Sequence, residues 1–209
     1  SEGSGAVVDA CCSPGHGGDA VVSCGGAAGH AVAARTALGL SLRAVAEAEG
    51  AVPEEFGRPD LVAVDCGKRS FVLFSFEAQR RTLAMECSDG GMRPAEVPGL
   101  EHLDVTLCAT SPGTDLILQA TAGEVRLACL EQGRAIARWS AAEQQGQGFI
   151  GSKHAAACGS RVAVSLGGGV VQGLRAWNRK IQPLARVHLE REVSCLALAE
   201  CELGCDDVT

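Results

Sequence analysis

Apolar residues fall along this chain in short runs of four to eight, each closed by a turn that contains Gly, Pro, Ser or Asp. Runs of that length predict strands, since a helix needs an apolar residue every three or four positions over ten or more residues. The first runs are AVVDACC (6–12), AVVSC (20–24), AVAARTA (31–37) and LSLRAVAEA (40–48), the last two joined by a tight turn at Leu38-Gly39. A second set holds LVAVDC (61–66), SFVLFSF (70–76) and RRTLAMEC (80–87), with Cys66-Gly67-Lys68-Arg69 as one turn. The third holds DVTLCAT (104–110), DLILQAT (115–121), EVRLACL (124–130) and RAIARW (134–139), turning at Ser111-Pro112-Gly113, Ala122-Gly123 and Glu131-Gln132-Gly133. HAAAC (154–158), RVAVSL (161–166), VVQGLRAW (170–177) and PLARVHLE (183–190) form a fourth set, and VSCLALA (193–199) opens a fifth.

Consecutive hairpins make a meander, and four strands in about 40 to 50 residues is the period of propeller blades. The expected fold is therefore all-β: a partial β-propeller of about four blades, each of four antiparallel strands. The blades fall at approximately 5–49, 50–100, 101–141 and 153–191, with the next starting from 192 and longer polar links at 50–59 and 141–152. In SFVLFSF and RVAVSL apolar residues occupy both strand faces, which predicts sheets covered on both sides. EVRLACL alternates, which suits a strand nearer the blade edge. A blade cannot bury its two faces alone, so a few blades by themselves leave apolar faces bare. Together with a first residue, Ser1, that is not Met, this gives the expectation of a piece of a larger protein.

Composition changes this picture in three ways. Of 209 residues 46% are hydrophobic, enough to fill a core, but only 3% are aromatic and none is Tyr, so Ala and Val must do packing usually given to Phe and Tyr. The net charge of −7 gives no overall attraction to a polyanion, so direct nucleic-acid binding is not expected, although a local patch is left open. The eleven Cys lie in apolar runs, an odd number that reads as buried reduced thiols rather than a disulfide framework. No run of about eighteen apolar residues and no signal-like opening is present, so an intracellular protein is the default expectation.

Candidate chemistry is sparse. GGAAGH (25–30) and the glycines 167–169 could cradle a phosphate, but no Lys-Ser/Thr and no amphipathic helix follow, and hairpin loops are the preferred reading. Cys11, Cys12 and His16, and separately Cys201 with Cys205, lack the paired C-x-x-C spacing of a zinc site. A Cys nucleophile would need a His partner; His16, His30 and His102 read as loop residues, His154 and His188 as strand positions near the surface. HLERE (188–192) reads as a solvated link between blades, with a partner-facing rim as the other possibility. No catalytic, cofactor-binding or metal residue is assigned and no cofactor is expected; the protein is expected not to be an enzyme.

With the strands placed, the order of motifs resembles the family that unites damaged-DNA-binding protein 1, the large subunit of cleavage and polyadenylation specificity factor, and splicing factor 3b subunit 3. The resemblance is carried by AVVDACC, by VVSCGGAAGHAVAARTALG (21–39), by DLILQATAGEVRL (115–127) with Trp139, by CGSRVAVSLGGGVV (158–171) and by LEREVSCLALAE (189–200), and it covers nearly the whole chain. Residues 56–98, longer and more charged, depart from it, as does the loss of aromatic residues. It implies the first half of the second of three propellers, in a nuclear scaffold that is also compatible with the cytoplasm. For the damaged-DNA-binding member it implies an adaptor of cullin-4 ubiquitin ligases in DNA repair, with cullin-4 and substrate receptors as partners. For the others it implies a pre-mRNA processing scaffold that holds splicing or polyadenylation subunits. In either case nucleic acid would be met only through the larger complex, and no membrane is involved. An enzyme on a propeller frame, with convergent polar residues at the central channel, is the contrasting class.

Overall fold

Each run pairs with its neighbour in sequence. β1 (Asp9–Gly15), β2 (Gly18–Cys24), β3 (Ala31–Thr36) and β4 (Leu42–Glu47) form one four-stranded antiparallel sheet; β5 (Asp60–Asp65), β6 (Ser70–Phe76), β7 (Arg81–Ser88) and β8 (Gly91–Ala95) form a second. β9 (Thr106–Thr110), β10 (Leu116–Thr121), β11 (Glu124–Cys129) and β12 (Arg134–Ser140) form a third, and β13 (Ala155–Cys158), β14 (Arg161–Ser165), β15 (Val170–Trp177) and β16 (Lys180–His188) a fourth. A single turn and a half of helix, α1 (Ala141–Gln145), is the one α-helix among the described residues. The structure is a computed structural model that describes residues 9–15, 18–24, 31–36, 42–47, 56, 58–88, 91–145 and 151–198, with side-chain surroundings from Phe56 onward.

The sheets meet in an ordered way. The first strands β5, β9 and β13 lie next to one another, and so do the fourth strands, β4 with β8 and β12 with β16. Sheets that share an inner and an outer rim in this manner are blades arranged around an axis, the partial β-propeller expected from the strand period.

Between the sheets lies the core, and β6 shows why both strand faces must be apolar. Phe71 and Leu73 join Val64, Ala84, Ile117 and Ala128 between the second and third sheets. Their alternate neighbours Val72, Phe74 and Phe76 pack with Met85 on the opposite face. There Phe56 meets Phe76 edge-on, with ring centroids 5.2 Å apart. Each fully covered Phe or Leu removes apolar surface worth about 2–3 kcal/mol from water. Between the third and fourth sheets Leu118, Val125, Leu127 and Trp139 pack against Val162, Val164, Leu174 and Ala176. RVAVSL, like SFVLFSF, is therefore covered on both faces from Val162 to Leu166.

Three local features refine the pattern reading. β8, GMRPA, had no counterpart among the apolar runs; it holds Pro94, which an outer strand tolerates because its free edge needs no ladder N–H. EVRLACL, placed nearer the blade edge by its alternation, is the third strand, next to the wetter edge strand β12, although it buries Val125, Leu127, Ala128 and Cys129. Residues 193–198, the expected opening of a fifth set, carry no strand, and no ladder partner for them lies among the described residues.

Candidate functional site

Four polar residues that sit inside otherwise apolar strands converge on the seam between the second and third sheets. Ser75 and Thr82 come from β6 and β7, Thr106 and Gln119 from β9 and β10, and all four are 2% exposed or less. Between them runs the connection from β8 to β9. Gln119 clasps it: its Oε1 accepts the Glu101 N–H at 2.7 Å, and its Nε2 donates to the Glu101 carbonyl at 3.0 Å and to Thr106 Oγ1 at 2.7 Å. Thr82 Oγ1 lies 2.8 Å from both the Asp104 carbonyl and Thr106 Oγ1, while the Thr106 N–H donates to Ser75 Oγ at 2.8 Å. The Thr82 N–H reaches the His102 carbonyl at 3.0 Å. Buried polar groups are costly only when unpaired, and here each is paired.

Charged groups close the outer side of this seam. Arg126 bonds to Glu101 and Glu124, Arg138 reaches Glu124 at 2.7 Å, and Arg80 holds Asp104 at 2.9 Å. On the second sheet Glu86 lies between Arg69 at 2.6 Å and Arg93 at 2.8 Å. The Arg69 hydrogen bond, with that of Arg93 next, holds the Glu86 carboxyl below its ordinary value.

A simpler seam joins the third and fourth sheets. The Ser152 N–H donates to the Ala122 carbonyl at 2.7 Å across it, and within the fourth sheet His154 exchanges bonds with Ser165, its carbonyl accepting the Ser165 N–H at 2.8 Å and its N–H donating to Ser165 Oγ at 3.1 Å. At the far side the glycine turn 167–169 has positive φ throughout, and a side chain on Gly169 would run into the Leu189 and Arg191 carbonyls. The turn lets the 189–192 link pass close by; the Gly168 N–H donates to Glu192 Oε1 at 2.5 Å.

The sequence candidates are scattered by the fold. His102 is a loop residue whose ring lies 3.2 Å from the Thr82 and Val97 carbonyls, His154 stands one position before β13 rather than within it, and His188 is the exposed last residue of β16. GGAAGH, Leu38-Gly39, His16, His30, Cys201 and Cys205 lie outside the described residues; Cys11 and Cys12 are consecutive in β1, opposite Val22 and Val21. Cys66, Cys87, Cys108, Cys129, Cys158 and Cys195 are free thiols. Burial pushes the Cys66 and Cys87 thiols up, and dense packing around the Cys108 sulfur pushes it up to about 12, although that residue as a whole is only partly covered. Cys195 is exposed, against the expectation of burial for its run. Among the described residues no group of three His, Cys, Asp or Glu is placed to hold a metal, and no helix is long and apolar enough to cross a membrane.

Pattern reading missed the seam. Its signal was a polar residue within a run covered on both faces, Ser75 in SFVLFSF and Gln119 in DLILQAT.

No family model matches the chain. Over 186 residues, 85% of the chain, it is 28% identical to DNA damage-binding protein 1 of Oryza sativa subsp. japonica, and it spans 16% of that relative's length.

Proposed function

We propose that this chain is part of a protein-interaction scaffold, an adaptor of the cullin-4 ubiquitin ligase type that works in the nucleus and is not itself an enzyme. One observation carries the reading: the buried polar side chains Ser75, Thr82, Thr106 and Gln119 are paired with one another and with the link between sheets. Such a seam holds blades in register and leaves the outer surface to meet partners. Two further points support it. The described Cys66, Cys87 and Cys108 thiols are shifted away from the thiolate that a nucleophile requires. The alignment with a DNA damage-binding protein extends over 85% of the chain.

The test is reconstitution of the full-length protein with cullin-4, read by size-exclusion chromatography with light scattering. A stable complex supports the ligase-adaptor reading. Separate elution, with splicing or polyadenylation subunits recovered on the same protein from cells, moves it to the pre-mRNA scaffold class.

A further inference from the structure

A single leucine open to water is common on protein surfaces and carries meaning only through its setting. Among the described residues the open large apolar side chains are Leu103, Trp177, Leu184, Val187 and Leu189. Trp177, Leu184, Val187 and Leu189 belong to the last two strands of the fourth sheet and the link after them, where a further blade would cover them. Leu103 has no such explanation. It stands on the link from β8 to β9, between two sheets that are both in place, and at 77% it is the most exposed of the five.

The backbone around it is held from every side. Gln119 bonds both the N–H and the carbonyl of Glu101, the Thr82 N–H holds the His102 carbonyl, the His102 ring lies against two carbonyls, and Thr82 Oγ1 holds the Asp104 carbonyl. The Leu103 N–H itself donates to Glu101 Oε1 at 2.9 Å. Asp104 Oδ1 accepts the Val105 N–H and the Arg80 guanidinium, both at 2.9 Å, and Arg80 keeps a left-handed backbone, φ +48, that arginine seldom adopts. Residues 101 to 104 are thus tied into the seam, and the Leu103 side chain alone stands out in water. A loop fixed this firmly loses little further freedom when a partner covers it, which is the condition for strong binding by few contacts. On the turn that Arg80 brings against the link, Glu77 is exposed and has no ion pair among the described residues.

We propose that Leu103 is the apolar anchor of an interface with a folded partner protein, seated in a pocket of that partner whose edge carries Lys or Arg opposite Glu77. The inference rests on the scaffold reading and deepens it, because it says where on this chain a partner docks and what chemistry that partner presents. A projecting side chain needs a concavity, which a folded surface supplies and an extended peptide does not. The cationic edge follows from the rim: Glu101, Asp104 and Glu124 already have arginine partners, while Glu77 has none among the described residues. The net charge of −7 adds to this by steering basic surfaces toward the chain.

The experiment isolates the full-length protein under native conditions from its own cells as wild type, Leu103→Asp, Leu103→Met and Glu77→Lys. Native mass spectrometry reads the components, and hydroxyl-radical footprinting reads residue 103 in the free and the assembled wild-type protein. Leu103→Asp should leave the unfolding curve of the free protein unchanged, because the side chain it replaces is already in water. It should lower the affinity for one other protein roughly 10–100-fold, the effect of losing one buried Leu. Leu103→Met should keep most of the binding, and Glu77→Lys should weaken it about threefold or more. Residue 103 should react with radicals in the free full-length protein and be protected in the assembly. The inference is overturned if residue 103 is already protected in the free protein, which would mean that another part of the same chain covers it, or if the component lost is a second copy of this chain. A wild-type protein isolated alone ends this inference and the scaffold reading together; partners that Leu103→Asp leaves in place end this inference only.

Discussion

Thr82 and Thr106 belong to different sheets, yet their hydroxyl oxygens lie 2.8 Å apart, both essentially without solvent. Thr82 Oγ1 also bonds to the Asp104 carbonyl and receives the Thr106 N–H at 3.2 Å, so one hydroxyl ties together two strands and the link between them.

Replacing Thr82 by Val keeps the shape and removes that hydroxyl, which leaves the partners unsatisfied in the interior. The expected loss is about 1–3 kcal/mol in chemical unfolding. Combining it with Thr106→Val should cost less than the two losses added, because each removes the other's partner. Strict additivity would show that the seam is not a single network.

Two glycines separate backbone strain from crowding. Gly167 has φ +81 with open space around it, so Gly167→Ala should cost about 1–2 kcal/mol from the left-handed backbone alone. Gly99, at φ +97, faces the Arg134–Ala135 peptide where a Cβ would have to sit. Gly99→Ala should exceed that cost and bring about 3 kcal/mol or more, read from the same unfolding curves.

Much of this fold was legible because its strands are apolar on both faces. SFVLFSF has one interpretation, and so do the turns 66–69 and 131–133, whose Gly67 and Gly133 take positive φ. GMRPA was illegible as β8: an outer strand with Arg93 and Pro94 exposed carries neither alternation nor an apolar run. The seam was hidden for another reason. Gln119 in DLILQAT looks like a local exception until the fold brings the Glu101 backbone, 18 positions away, against it.

Thiol reactivity should follow burial. With iodoacetamide at neutral pH, Cys195 should be modified before any other cysteine of the stretch 56–198, while Cys66, Cys108 and Cys129 stay unmodified until denaturant is added. Peptide mass mapping over time checks the order, and early labelling of Cys108 would contradict its packing.

The Glu86 carboxyl should respond to acid in a defined direction. Its folded pKa lies below its unfolded one, so its contribution is present above the ordinary carboxylate range and is lost as pH falls through the folded value. Stability of the native chain should therefore fall between about pH 5 and pH 3 more than that of Glu86→Gln. Parallel curves for the two would remove the Arg69 and Arg93 bonds from the account. Raised salt should flatten the difference, because Arg93 is largely exposed.

The scaffold reading is tested most directly by the native mass of the full-length protein isolated gently from its own cells. The account predicts a heteromeric assembly with at least one other protein in near-equimolar amount. A protein that is isolated as a single species, and stays so at its cellular concentration, would contradict it.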